Sequence, residues 1–353
     1  MPSQTNTLTI TRPDDWHLHL RDGAALAAVA GFSARQFGRA VVMPNLQPPV
    51  TTVESAGRYR QRILDALPAG TGFQPLMTLY LTDSTPPAEI DRARASGLIC
   101  GVKYYPAGAT TYSGAGVTAL ARCDGVLARM EELDVVLQLH GETTGPAVDP
   151  YDREAEFIER ELTRLVSQFP RLRIVLEHVT TAAGVEFVRS HGPRVAATLT
   201  PQHLLLNRGA MFDGGLRPHL YCLPLLKRER DREALVAAAT GDDPRFFLGT
   251  DSAPHARNAK ESACGCAGIF SAHAAIELYA QAFEQAGALA RLADFASHRG
   301  ADFYGLPRNP DKITLCRESW TVPVSYRFGD DELVPFFAGQ TLAWKLQSAD
   351  VRP

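Results

Sequence analysis

Eight short apolar runs, rich in β-branched and aromatic residues, alternate with longer helix-patterned segments along this chain of 353 residues. The runs are 8–10 continuing into 17–20, then 40–43, 73–81, 98–104, 135–140, 173–178, 194–199 and 245–249. Between them, 53–67, 87–96, 117–133, 153–168 and 230–239 read as helices. Strand–helix alternation calls for right-handed parallel crossovers. Eight such units predict an α/β fold of the (β/α)8 TIM-barrel type rather than an open sheet. One barrel accounts for the length. Residues 1–353 are therefore expected to form a single domain, with the part after about residue 306 as a C-terminal extension packed on it.

Composition narrows the function classes. With 45% hydrophobic and 21% charged residues and a formal net charge of −3, the chain has no basic field for nucleic acid or anionic membrane. No apolar run approaches the roughly 18 residues of a membrane span. The start, MPSQTNTLTI, lacks a basic region followed by an apolar stretch, so no secretory signal is expected. Six cysteines are scattered through the chain, which predicts reduced thiols and a cytoplasmic protein. The one close pair, Cys264 and Cys266, lacks the second pair that a zinc knuckle needs.

A barrel places its chemistry where strands end, on the C-terminal face. The predicted strand ends carry His17, His19 and Arg21, then Asn45, Lys103, His140, His178, Asp251 and His255. Residues two apart in a strand face the same way, so His17 and His19 form a pair suited to a divalent transition metal such as zinc. By itself the pair is weak evidence and reads more readily as solvent-facing or hydrogen-bonded histidines, and His140 and His178 each read equally as satisfied core residues. Their convergence on one rim is the informative feature. Asp251 reads either as a helix N-cap or as a ligand and proton acceptor beside a metal. Lys103 is the odd member: lysine is rarely buried without a partner, so at the end of an apolar strand it reads as reaching solvent or pairing with an acid.

The stretches RPDDWHLHLRDG, VVMPNLQPPVTT, GVKYYPAGATT, LQLHGE, LEHVTT, TPQHLLLNR and LGTDSAPHARNAK span residues 12 to about 260. In that order they resemble the dihydroorotases of the shorter bacterial type, within the amidohydrolase superfamily. The MPNLxPP and TDSAPHxxxxK contexts are more discriminating than HxH, which many amidohydrolases share.

The resemblance implies two zinc ions per subunit, or other divalent metals in their place. His17, His19, Asp251 and a Lys103 carboxylated by CO2 would bind the more buried ion. His140 and His178 would bind the second, with Lys103 bridging and a hydroxide between the ions as nucleophile. It implies Asp251 as general acid/base and Arg21, Asn45 and His255 as a clamp for the substrate carboxylate. Backbone groups of Leu223 and Ala267 would contact the ring, under a lid at 107–116 carrying Thr110 and Thr111. In that lid Gly108 and Tyr112 stand where the family pattern leads one to expect asparagines.

The implied reaction is reversible cyclisation of N-carbamoyl-L-aspartate to L-dihydroorotate in pyrimidine (UMP) biosynthesis. The implied enzyme is a cytoplasmic homodimer whose partner is its small-molecule substrate. An alternative is another cyclic-amide hydrolase of the dihydropyrimidinase or hydantoinase kind, whose substrates lack the ring carboxylate and give no reason for the clamp. A non-catalytic relative is a further alternative, and it predicts lost ligands; all six candidates are present.

Overall fold

The structure, a computed structural model, describes residues 6–263 and 265–347. Part of the stretch read for a secretion signal, and Cys264, lie outside the described residues. Strand β1 spans Thr7–Thr11, β2 Asp15–Leu18, β3 Arg39–Val42, β4 Gln74–Tyr80 and β5 Ile99–Tyr104. Then come β6 (Val136–Leu139), β7 (Ile174–Leu176), β8 (Val195–Leu199) and β9 (Phe246–Leu248). Strands β2 to β9 form one parallel sheet in chain order. Its ends meet where the Asp251 amide donates to His17 O at 2.9 Å and the His19 amide to Ser252 O at 3.1 Å. The expected barrel is present, and this seam joins the first strand end to the last.

The first expected strand is corrected. The run at 8–10 does not continue into 17–20. Pro13 lacks the N–H a ladder needs, and the chain leaves the extended path between Thr11 and Asp15. The earlier piece, β1, pairs antiparallel with β10 (Lys312–Thr321), setting Leu8 opposite Leu315 and Ile10 opposite Ile313. Strand β10 also pairs with β13 (Thr341–Leu346), while β11 (Tyr326–Phe328) and β12 (Asp331–Leu333) form a separate hairpin. Residues beyond 306 thus share a sheet with the N-terminal strand.

The helices follow local chemistry. Thr52 and Ser55 form a reciprocal capping box on Val53–Ala66, whose Ala56, Tyr59 and Ile63 face inward. Pro87–Ser96 stops at Gly97, whose φ of 63° is the left-handed C-cap conformation that glycine adopts without strain. The expected 117–133 helix begins only at Asp124, after a 3-10 turn at Leu120–Cys123. The 153–168 helix contains a π turn at Ile158–Leu162. Helices Gly23–Ala34 and Ala182–Ser190 complete crossovers that sequence pattern left blank, and Ala275–Gln285, likewise unread, follows the last barrel strand.

Alternation along each strand builds two shells. Outward residues such as Val42, Leu79, Val102, Leu137, Leu176 and Leu248 pack under the helices. Inward residues Trp16, Val41, Val136, Val175, Ala196 and Phe247 form a separate apolar cluster that fills the lower bore. Tyr304 stacks on Trp16 at 4.6 Å and closes it from below.

Candidate metal centre and substrate pocket

Two residues further along the same inward faces, the bore changes character. Val136 is followed by Gln138 and then His140, Val175 by Glu177, and Ala196 by Thr198. Lys103 sits level with Gln138 in the β5–β6 ladder. An apolar plug thus supports a layer of buried polar groups, and the catalytic face lies above it. Gly249 leaves room for this layer: a Cβ there would come within 2.7 Å of Thr198 Cβ and 3.1 Å of His17 Cβ.

His17 and His19 meet Asp251 across the barrel seam. His17 Nε2 lies 3.3 Å from His19 Nε2 and 3.4 Å from Asp251 Oδ1, and His19 Nε2 lies 3.0 Å from the same oxygen. A tetrahedral zinc with ligands at ~2.1 Å has ligand–ligand edges of about 3.4 Å, so this triangle is one face of such a site. The other ring nitrogens are occupied. His17 Nδ1 is 2.9 Å from Glu177 Oε2, and His19 Nδ1 is 2.9 Å from Asn45 Oδ1. Donation from each Nδ1–H leaves both Nε2 lone pairs aimed at the common point.

The remaining candidates lie alongside but are less tightly grouped. The His178 ring centroid is 4.9 Å from those of both His17 and His140. His178 Nδ1 is buried with no hydrogen-bond partner among the described residues. His140 Nε2 contacts Glu142 Oε2 at 2.7 Å. Lys103 is 0% exposed, and its Nζ, 5.0 Å over the Tyr105 ring, also lacks a hydrogen-bond partner among the described residues. A buried, unpaired cation is costly in any fold. Here it is surrounded by imidazoles and carboxylates, the donor set for divalent cations. The orphaned Nζ and Nδ1 are what such ions, and a carbamate on Lys103, would satisfy. The residues fit the group.

The electrostatics point the same way. Burial, followed by the Lys103 cation, pushes the His17 and His178 pKa well below the ordinary value, so both imidazoles are neutral. Burial lowers Lys103 to about 8, against the pull of Glu177 and Asp251, so the reactive free amine is accessible near neutrality. For Asp251 burial raises the pKa, but the His19 hydrogen bond and the Lys103 cation beside it work against burial, and the carboxyl is held at about 2. Strain concentrates here too: Arg21, His178 and Asp251 have φ of 61°, 43° and 45°, the left-handed region that non-glycine residues seldom occupy.

Arg21, Asn45 and His255 come together beside this centre. Arg21 Nε donates to Pro254 O at 3.0 Å, and its Nη2 donates to His255 Nε2 at 2.8 Å. Burial, then the Arg21 charge, lowers the His255 pKa to about 2, so its ring is neutral and able to accept. Asn45 serves His19 through its oxygen, and its amide donates to Thr111 O at 3.1 Å. Thr111 Oγ1 in turn donates to Ala267 O at 3.2 Å. The loop thus lies closed over a cavity lined by His19, Arg21, Asn45, Thr110, Leu223 and Ala267, with His140, His178 and Asp251 on its floor. About 20 Å³ remains inside, room for roughly one water.

Several contributors escaped the sequence. Glu177 orients His17 and also accepts from Thr198 Oγ1 at 2.5 Å. Asp15 accepts from the Thr250 amide at 2.9 Å and from Thr250 Oγ1 at 2.6 Å, pinning the residue before Asp251. Tyr105, Ala253 and Gly268 line the cavity. The E of LQLHGE and that of LEHVTT follow strand ends, while the DD of RPDDWHLHLRDG stands at the start of β2. Which histidine each one meets depends on barrel closure.

Residues 10–319 match the amidohydrolase family. A dihydroorotase from Laribacter hongkongensis is 64% identical over 342 residues, covering 97% of this chain and 99% of that protein. A crystal structure of dihydroorotase from Campylobacter jejuni superposes with a TM-score of 0.90 at 35% identity, covering 98% of this chain and 99% of that one. An L-hydantoinase from Arthrobacter aurescens shares the fold, with a TM-score of 0.81 at 17% identity over 96% of this chain and 83% of its own. The chain belongs to the amidohydrolase family and, within it, to the dihydroorotases.

Proposed function

We infer that the chain interconverts N-carbamoyl-L-aspartate and L-dihydroorotate, closing or opening one cyclic amide bond with loss or gain of water. The observation that carries this reading is Arg21, 8% exposed and held by Pro254 O and His255 at the mouth of a cavity floored by His140, His178 and Asp251. A planar guanidinium in that place is matched to a carboxylate on the ring. An uncharged cyclic amide, the substrate class of the alternative reading, offers it no carboxylate to pair with.

His17, His19, Lys103 and Asp251 would hold one divalent cation, and His140 and His178 a second, with Lys103 shared as its carbamate. Zinc suits the imidazole-rich set. Such cations supply Lewis-acid polarisation of the scissile carbonyl and acidify the attacking water. In the hydrolytic direction Asp251 accepts the proton of that water and delivers it to the departing ring nitrogen. In the biosynthetic direction it takes the proton from the carbamoyl nitrogen as that nitrogen attacks the side-chain carboxyl, and returns it to the departing oxygen. Arg21, Asn45 and His255 fix the ring carboxylate, and the Leu223 and Ala267 backbones border the ring. Thr110 and Thr111 close over it, so proton transfer takes place without bulk water.

The same reading makes the enzyme a cytoplasmic homodimer. The five described cysteines are free, which supports a reducing compartment. No described helix is long and apolar enough to cross a membrane.

The test compares hydrolysis of dihydroorotate with that of dihydrouracil, the same ring without its carboxylate, by wild type and Arg21→Met. The reading predicts a wild-type preference for dihydroorotate of at least ~100-fold in kcat/KM that Arg21→Met largely removes. Equal wild-type turnover of the two rings would instead support the hydantoinase-like alternative.

A further inference from the structure

Lys260 ends the stretch LGTDSAPHARNAK and has no part in the chemistry above. It is 4% exposed, at the end of the short helix Arg257–Lys260. Its ammonium donates to three backbone carbonyls: Tyr221 O at 2.7 Å, Gly268 O at 2.7 Å and Cys266 O at 2.9 Å. An ammonium has three protons and accepts nothing, so these three carbonyls satisfy it completely. They also account for a lysine in a place where burial alone would exclude one.

The carbonyls belong to two segments far apart in sequence. Tyr221 lies two residues before Leu223, and Cys266 and Gly268 flank Ala267. Leu223 and Ala267 both line the cavity. Tyr221 O also accepts from the Gly268 amide at 3.0 Å, so the Lys260 Nζ completes a knot tying one segment to the other. The position is crowded: a Cβ on Gly268, whose φ is 151°, would come within 2.5 Å of Ala253 O. Ala267 O is in addition the acceptor for Thr111 of the loop. One buried cation therefore sets the height of the wall that borders the ring and receives the closing loop.

We propose that Lys260 is a positioning residue for substrate binding, clipping the 221–223 and 266–268 segments together so that the Leu223 and Ala267 backbones meet the ring. This rests on the assignment of that cavity to dihydroorotate. Lys260 touches neither the reacting atoms nor any candidate metal ligand, so its effect falls on binding. A lysine needed only for folding would lower the active fraction, and hence apparent kcat and thermal stability, and leave KM unchanged.

The experiment is steady-state hydrolysis of dihydroorotate by zinc-loaded wild type, Lys260→Met and Lys260→Gln, with metal content measured on the same samples. Lys260→Met strips the Cys266 and Gly268 carbonyls of their donor and leaves Tyr221 O only the Gly268 amide, and KM is expected to rise about tenfold or more. Lys260→Gln retains two donors and is expected to fall between. Metal content stays at the wild-type level, and kcat stays within about threefold. If Lys260→Met does not fold, Lys260→Gln decides by the same criterion. Wild-type turnover with unchanged KM in the folded variants overturns this inference alone. A wild type that does not turn over dihydroorotate overturns the assignment of the reaction and this inference with it.

Discussion

His17 Nδ1 and Glu177 Oε2 meet at 2.9 Å in the centre of the barrel, joining the end of β2 to the end of β7. Both side chains are buried, and Thr198 Oγ1 donates to the same carboxylate oxygen from β8. The contact fixes the His17 tautomer and turns its Nε2 toward His19 and Asp251. Burial raises the Glu177 pKa to about 7 despite the nearby Lys103 cation, so its charge is sensitive to whatever occupies the centre.

Glu177→Gln keeps an acceptor for His17 but removes the charge. Metal affinity is expected to fall about tenfold or more, the usual scale for such supporting carboxylates. Competition against a chelator of known strength measures it. Wild-type affinity in the variant would remove Glu177 from the account.

Asp251→Asn is the cleaner test of proton transfer. Asparagine tolerates the φ of 45° better than alanine does, and it cannot accept the proton. Turnover is expected to drop by at least ~100-fold, with an unchanged circular dichroism spectrum. Near-normal kcat in the folded variant contradicts the assigned role.

His273 offers a prediction about stability away from the metal centre. Burial, and then the Arg35 cation, lowers its pKa from 6.5 to about 3. The folded state thus resists protonation that the unfolded chain accepts. The contribution is fully present above pH 6.5 and is lost as pH falls from 6.5 toward about 3. His273→Phe, placed among Phe270 and Tyr326, removes a penalty on the order of a few kcal/mol at the acid end of that window. The melting temperature of the variant should decline less steeply with acidification than that of wild type. Parallel curves would show that His273 does not govern the acid limb.

The strands were legible because their apolar runs are bounded by polar strand ends, and the barrel order followed from alternation. The error at β1 came from reading through Pro13, which lets the chain leave one sheet before it enters the next. Helix Gly23–Ala34 was missed because it is apolar almost all round (GAALAAVAGFSA), with no polar face to reveal a period. At the site, His17, His19, Asp251 and Arg21 could be named from one-dimensional pattern plus resemblance, because metal and carboxylate chemistry restricts residue type. Glu177, Asp15 and Lys260 could not. An acid or a lysine is common at a strand or helix end, and the partners that give these their roles, His17 for Glu177, Thr250 for Asp15 and Tyr221 for Lys260, lie 160, 235 and 39 residues away.

Hydrolysis by this chain is expected to need a two-cation centre. Metal analysis of the purified protein, paired with dihydroorotate hydrolysis before chelation, after chelation and after zinc is restored, decides it. Two divalent ions per chain are expected, with activity lost when they are removed and recovered when they return. Full activity in protein shown to be metal-free would rule the two-cation centre out.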